Sequence, residues 1–140
     1  LEKDLKELTK KLKLENNIIF TGAIQNKELP KFYATADILI GPSIIVNGGD
    51  REGLSVVLME AMASGCIIIT TDLEGNKDLI DNGRNGFLVK QKNFRQISEK
   101  IVDLLSNRNL FEKIRKDGVN KIEKSFNWEV ISKRYLNVLR

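Results

Sequence analysis

The chain has 140 residues, of which 41% are hydrophobic and 30% are charged, a balance typical of one globular domain of ordinary size. It carries 23 lysines and arginines against 19 acidic residues, for a net charge of +4, and it has no histidine and one cysteine. These counts exclude a histidine-based zinc site, a Ser-His-Asp triad and a disulfide within the chain, so we expect metal-free chemistry in a reducing compartment.

Hydropathy and charge also bear on location. The longest apolar candidate is interrupted by Glu60, and no signal peptide is visible, so we expect a soluble, cytoplasmic chain. Lysines concentrate in the first helix and near the end of the chain. A solvated helix face interleaved with acids is the favoured interpretation, and attraction to anionic lipid at the inner membrane face stays open. Nucleic acid is not an expected partner, because exposed aromatics do not alternate with the basic residues.

The first part of the chain alternates helix and strand. Leucines at positions 1, 5, 8 and 12 predict a helix, and NIIFTG, ending at Gly22, predicts a short buried strand. Residues 28–35 fit a helix with Pro30 in its first turn. DILIG, residues 37–41, predicts the next strand, from which GPS leads into a loop containing NGGD.

The remaining elements continue the alternation. The pattern predicts a helix over 56–63, a buried strand CIIITT, a short helix over 76–81, a strand GFLV, and closing helices over about 94–106, 110–124 and 128–139. Cys66 is expected to be a small core residue, since no histidine could activate it, and Phe126 and Trp128 to be core or interdomain packing residues. The order indicates an α/β, Rossmann-like parallel sheet flanked by helices, with ligands at the carboxyl ends of strands.

The stretch DREGLSVVLMEAMASG contains the candidate site. Gly53, Leu54 and Ser55 precede a strongly helical run, so free N–H groups and the positive end of the helix dipole favour a phosphate there. Ser55 is equally a candidate N-cap. Two glutamates, Glu52 and Glu60, flank this point. Bare carboxylates repel phosphate but accept paired hydrogen bonds from a diol, so each glutamate could hold one sugar of a nucleotide sugar.

The two glutamates are separated by seven residues in the stretch EGLSVVLME, which is followed by AMASG. This pattern resembles the donor site of retaining family-four glycosyltransferases with the GT-B fold. The similarity includes FTG, LPKFYATADILIGPS, TTDLEGNKDLIDNGRNGFLV and SFNW, and it covers nearly the whole chain in the family's order. The resemblance implies the C-terminal, donor-binding half of such an enzyme.

The resemblance also implies roles for individual residues. Glu52 would touch the transferred hexose as the catalytic residue, Glu60 would bind the nucleotide ribose, and Gly53, Leu54 and Ser55 would offer N–H groups to the diphosphate. Ala23 and Ile24 are similar to the family's base-contacting turn. The implied substrate is a nucleotide sugar such as a UDP- or GDP-hexose, without metal, and the implied acceptor is a polysaccharide, glycolipid or similar glycan.

Two departures from the family pattern stand out. The family's paired glycines before a glutamate are replaced here by Glu74, Gly75 and Asp78, which leaves the shape of that loop open. The acceptor domain and the first strand and loop of the donor domain, with their cationic pair, are not in this sequence, so we expect a single donor-binding domain over 1–140 that is inactive alone.

Two alternatives remain open. One is a nucleotide-sugar-binding subunit or degenerate module that needs a partner chain. The other is a nucleotide-sugar 2-epimerase, against which the lack of histidine counts.

Overall fold

A computed structural model describes residues 1–44 and 55–138 of the chain. In chain order the elements are α1 (Glu2–Lys11), α2 (Leu29–Thr35), β1 (Ile38–Gly41), α3 (Val56–Ala63), β2 (Ile67–Thr71), α4 (Glu74–Lys77), β3 (Phe87–Val89), α5 (Phe94–Ser106), α6 (Arg108–Ser125) and α7 (Trp128–Val138).

The three strands form one parallel sheet in the order β1-β2-β3. The central strand, β2, is completely buried because helices cover both faces of the sheet. Its side chains alternate between two cores: Ile68 packs with α2 and α3, whereas Ile67 and Ile69 pack with α5 and α6. The predicted α/β class, with a Rossmann-like parallel sheet flanked by helices, is therefore confirmed.

Glycine permits the sharp turn between α3 and β2. Gly65 has φ of +91°, and the following N–H of Cys66 donates to the carbonyl of Ala61 at 2.9 Å. This arrangement caps the last turn of α3 and sends the chain directly into the central strand. The position of α3 along the sheet is thus tied closely to β2.

One predicted strand is absent from the described residues. Residues 17–22 are irregular, and Ile18, Ile19 and Phe20 are 40%, 87% and 37% exposed. The expectation of a buried strand here was wrong, because an extended segment becomes a strand only where another strand supplies hydrogen bonds, and β1 pairs with β2 alone in the described part of the chain. An open apolar groove of about 280 Å³ lies between this segment and α1, lined by Leu5, Leu8, Thr9, Leu12, Ile18 and Phe20.

Two smaller expectations also need correction. The short helix predicted over 76–81 is α4, which begins at Glu74 and ends at Lys77; Leu79 and Ile80 lie beyond it, buried in the core. Trp128 is 85% exposed, so it is not a core residue in this structure, whereas Phe126 packs against the first core. The other helices and strands lie within a few residues of their predicted bounds.

Candidate functional site

The candidate site lies at the carboxyl edge of the sheet. β1 ends at Gly41 and β2 at Thr71, and α3 begins after Ser55 on the crossover that joins these two strands. In an open parallel sheet this edge, where loops leave the strands, is the usual place for a ligand. The residues that follow β1 and β2 are therefore the ones placed to contact a ligand.

Packing of one face of α3 fixes the position of Glu60. Leu58, Ala61 and Met62 are 5%, 0% and 0% exposed and belong to the first core. Glu60 lies on the opposite, solvent-exposed side, one turn after Val56 and on the same side as Val56 and Val57. Rotation of the helix would expose the core, so Glu60 is held on a fixed, solvent-accessible side of α3.

The beginning of α3 carries the predicted anion site. Ser55 is the N-cap residue, as predicted, but its side chain makes no capping hydrogen bond. The first N–H groups of an α-helix lack intrahelical acceptors, and the helix dipole places partial positive charge there. The hydroxyl of Ser55 is compatible with the phosphate role expected of it, which stays a prediction.

A buried network of polar side chains joins the carboxyl ends of β1 and β2. The Asn76 amide donates to the Thr70 hydroxyl at 3.0 Å and to the Thr71 carbonyl at 2.9 Å. The Thr70 hydroxyl donates in turn to the carbonyl of Gly41 at 2.7 Å, and that of Thr71 to the carbonyl of Ser43 at 2.7 Å. These bonds fix the start of the loop that leads from β1 toward α3.

Charged side chains follow β2 at the same edge. Lys77 lies 3.3 Å from Asp72 and 2.7 Å from Glu74. The hydrogen bond to Glu74, and after it that to Asp72, raises the pKa of Lys77 above its ordinary value. All three groups are well exposed to solvent, so the cluster adds local charge without fixing a rigid site.

Tyr33 lies close to Glu60 although it comes from another helix. Its side chain is 5% exposed and packs in the first core with Leu58 and Ala61. Burial raises the pKa of the Tyr33 phenol, and the Glu60 carboxylate raises it further. Its buried hydroxyl has no hydrogen-bond partner among the described residues.

The remaining predicted site residues divide into two groups. Glu52, Gly53 and Leu54 lie outside the described residues. Ala23 is exposed at a bend and Ile24 is half-buried, shortly before α2, which packs on α3. Their contact with a base stays a prediction.

Sequence reasoning missed Asn76, Thr70 and Tyr33. The polar TT pair at the end of an apolar strand is a signal that could have pointed to the network. Nothing in the local pattern around Tyr33 indicates its neighbour on α3.

Cys66 is a structural residue, as predicted. It is 2% exposed, and its thiol donates to the carbonyls of Tyr33 at 3.2 Å and Ala36 at 3.4 Å. Burial raises the pKa of this thiol, which is the opposite of what a thiolate nucleophile requires.

Some basic side chains of the helices pair with acidic side chains. Lys6 pairs with Glu2 at 2.7 Å, Lys121 with Asp81 at 3.1 Å, and Arg108 with Glu112. This supports the interpretation of a solvated face. Among the described residues, no helix combines the length and hydrophobicity that crossing a bilayer requires.

Comparison with known proteins places these features in a family. Residues 1–121 match the family described as glycosyl transferases group 1. A putative colanic acid biosynthesis glycosyltransferase, WcaL, of Salmonella typhimurium is 27% identical over 140 residues, which is 99% of this chain and 34% of that protein. The chain thus spans about a third of the length of this curated relative.

Solved structures agree on the fold. The C-terminal domain of a glycosyl transferase group 1 family protein, LpcC, from Francisella tularensis superposes with a TM-score of 0.79 at 31% identity, covering 91% of this chain and 63% of that one. HepE from Anabaena, in complex with UDP, gives 0.86 at 22% identity, covering 98% of this chain and 36% of that one. The sheet, the helices around it and the match over residues 1–121 together establish that this chain belongs to the group 1 glycosyltransferases, with the fold of a GT-B C-terminal domain.

Proposed function

We propose that this chain is the donor-binding part of a retaining glycosyltransferase of family four, which moves a hexose from a nucleotide sugar such as UDP- or GDP-hexose to a polysaccharide, glycolipid or similar acceptor. The observation that carries the proposal is the position of Glu60, an exposed carboxylate on a helix whose opposite face is locked into the core at the carboxyl edge of the sheet. Family membership and the solved complex of HepE with UDP support a nucleotide as the ligand.

In this proposal Glu60 accepts hydrogen bonds from the two ribose hydroxyls. An ionised carboxylate has enough acceptor sites to bind both at once. The diphosphate lies at the N-terminus of α3, one turn from Glu60, and contacts N–H groups of Gly53, Leu54 and Ser55. Ala23 and Ile24 contact the base.

The same proposal assigns Glu52 to the transferred hexose. Its support is the spacing to Glu60 and the family motif, since Glu52 lies outside the described residues. Transfer then occurs on the front face of the sugar, the leaving diphosphate is stabilised electrostatically, and no protein nucleophile is needed. We further propose that this chain alone binds donor without catalysing transfer, and that it acts in the cytoplasm or at the inner membrane face.

Ligand-observed NMR tests donor binding directly. Saturation transfer from the chain to UDP-, GDP- and ADP-sugars is expected for one base and its ribose. Glu60→Ala should weaken nucleotide binding by about 1.5–3 kcal/mol, the worth of a charge-assisted hydrogen bond. Glu99→Ala is the matched control, because it removes an equal charge from an exposed position on α5. An unchanged affinity in Glu60→Ala, or equal losses in both variants, would remove Glu60 from the site.

A second pair of ligands tests Glu52. Glu52→Ala should leave binding of the free nucleoside diphosphate intact and weaken binding of the intact nucleotide sugar, because only the latter carries the hexose. Equal losses for both ligands would contradict the assigned role. Binding without any transfer in the presence of acceptor glycans would fit the donor-binding part of a larger enzyme, whereas transfer by this chain would refute its inactivity.

A further inference from the structure

The hydroxyl of Tyr33 is a buried polar group that the fold leaves unused. The side chain is 5% exposed, and the oxygen has no hydrogen-bond partner among the described residues. A buried hydroxyl without a partner is unfavourable, and phenylalanine would fill the same space without that loss. The other tyrosine of the chain, Tyr135, is 71% exposed, so its hydroxyl is accessible to solvent.

The Glu60 carboxylate, on the neighbouring helix, is an acceptor that acts on this hydroxyl. Glu60 adjoins Ala61, which shares the first core with Tyr33, and α2 packs on α3. The carboxylate acts on the phenol both through its charge and as a nearby acceptor, although the contact falls short of a well-formed hydrogen bond. The thiol of Cys66 is not a hydrogen-bond partner of this hydroxyl, because it donates to backbone carbonyls of α2 and of its C-cap residue.

We propose that the Tyr33 hydroxyl donates a hydrogen bond to one oxygen of the Glu60 carboxylate when a nucleotide is bound, so that Tyr33 is a positioning residue for the ribose contact. This inference rests on the proposed function, because it assumes that Glu60 is the ribose ligand. Tyr33 itself need not touch the nucleotide.

The physical advantage is a carboxylate with fewer free rotations. An exposed glutamate samples several side-chain rotamers, and a bound ligand restricts it to one, which costs conformational entropy. A donor held in the core fixes one oxygen and leaves the remaining lone pairs directed toward the two ribose hydroxyls. Like any tyrosine, the phenol is protonated at neutral pH and can donate, and its raised pKa extends that range to higher pH.

An alkaline titration tests the contact without any ligand. In a Tyr135→Phe background the only phenol is Tyr33, and its ionisation can be followed by ultraviolet absorbance. We expect Glu60→Gln to lower the pKa of Tyr33, because a negative charge beside the phenol is removed. Glu99→Gln is the matched control and should leave that pKa unchanged. The same pKa in Glu60→Gln as in the parent, or an equal fall in the control, would overturn the contact.

A double-mutant cycle of nucleotide binding tests the positioning role. We expect Tyr33→Phe to weaken binding of UDP or GDP about three- to tenfold, and to add no loss when Glu60 is already alanine, which has no acceptor for the hydroxyl. Equal losses in both backgrounds, or no loss in the parent, would overturn the proposal. If the parent binds neither UDP nor GDP, the proposed donor site fails and the positioning role fails with it, while the titration still decides independently whether Tyr33 and Glu60 interact.

Discussion

Replacement of Asn76 by alanine tests the network that joins β1 to β2. The Asn76 side chain is 6% exposed and donates two hydrogen bonds, to the Thr70 hydroxyl and the Thr71 carbonyl. Each bond contributes about 0.5–1.5 kcal/mol net, so both together contribute about 1–3 kcal/mol. Both acceptors keep a hydrogen bond in the variant, because the Thr71 carbonyl still accepts from the N–H of Leu73 and the Thr70 hydroxyl still donates to the carbonyl of Gly41. We therefore expect a loss of about 2 kcal/mol in the free energy of unfolding.

Urea unfolding of the variant and the parent measures this loss. Equal m-values for the two proteins would show that the denatured state is unchanged. Asn109→Ala, at an exposed position of α6, is the control and should change stability by less than about 0.5 kcal/mol. Thr70→Val completes a double-mutant cycle, in which the two substitutions should be coupled because the residues are directly bonded. A loss in Asn76→Ala no larger than in the control, or strict additivity with Thr70→Val, would refute the network as a source of stability.

Two further predictions concern packing and pH. Gly86→Ala should destabilise the chain by about 1–3 kcal/mol, because its Cβ would lie 2.9 Å from the carbonyl of Ile68 and 3.0 Å from Ile80. Gly83→Ala, with open space and φ of +77°, should show only the cost of its backbone conformation, about 1–2 kcal/mol. A loss below about 1 kcal/mol for Gly86→Ala in urea unfolding would contradict the packing argument. The pKa values of Cys66 and Tyr33 are raised in the folded chain, so both groups ionise at lower pH in the unfolded chain. The free energy of unfolding should therefore be at its full value below pH 9.0, the ordinary pKa of the thiol. It should fall as the pH rises past that value and then past 10.0, the ordinary pKa of the phenol. Cys66→Ala combined with Tyr33→Phe should flatten this alkaline fall, and an unchanged profile in urea titrations would show that other groups cause it.

The sequence was sufficient for most of the fold because the elements that face the cores have strong periodicity. The helix over Phe94–Ser106 and the strands ending at Gly41, Thr71 and Val89 were predicted at or near their observed bounds. Residues 17–22 failed because an apolar run reports the tendency to be buried and says nothing about whether a neighbouring strand is present. For Trp128 the exposure contradicts the core alternative only, and packing against another domain stays a prediction, because hydrophobicity does not determine which surface covers a side chain.

The candidate site was predictable only in part. Glu60 could be placed because helical spacing puts it opposite Leu58, Ala61 and Met62, which are all buried. Tyr33 could not, because its proximity to Glu60 depends on how α2 packs across α3, and that packing leaves no periodic signal. Asn76 lies in a short helix, as predicted, but the helical pattern does not show that its side chain donates hydrogen bonds to the strand before it.

The charges at this edge bear on how tightly the chain could hold a diphosphate. In the proposed site Glu60 would bind hydroxyl groups, but its negative charge repels phosphate, and the Lys77 charge is already shared between Asp72 and Glu74. The N-terminus of α3 contributes about 0.3–1 kcal/mol toward an anion, and about 2 kcal/mol in favourable geometry. Micromolar affinity requires about 8 kcal/mol, so these groups, even with the ribose contact of Glu60, account only for weak binding. Tight binding by this chain would therefore require further contacts, either to the base or from cations other than Lys77, and a strong salt dependence of the affinity would indicate the cations.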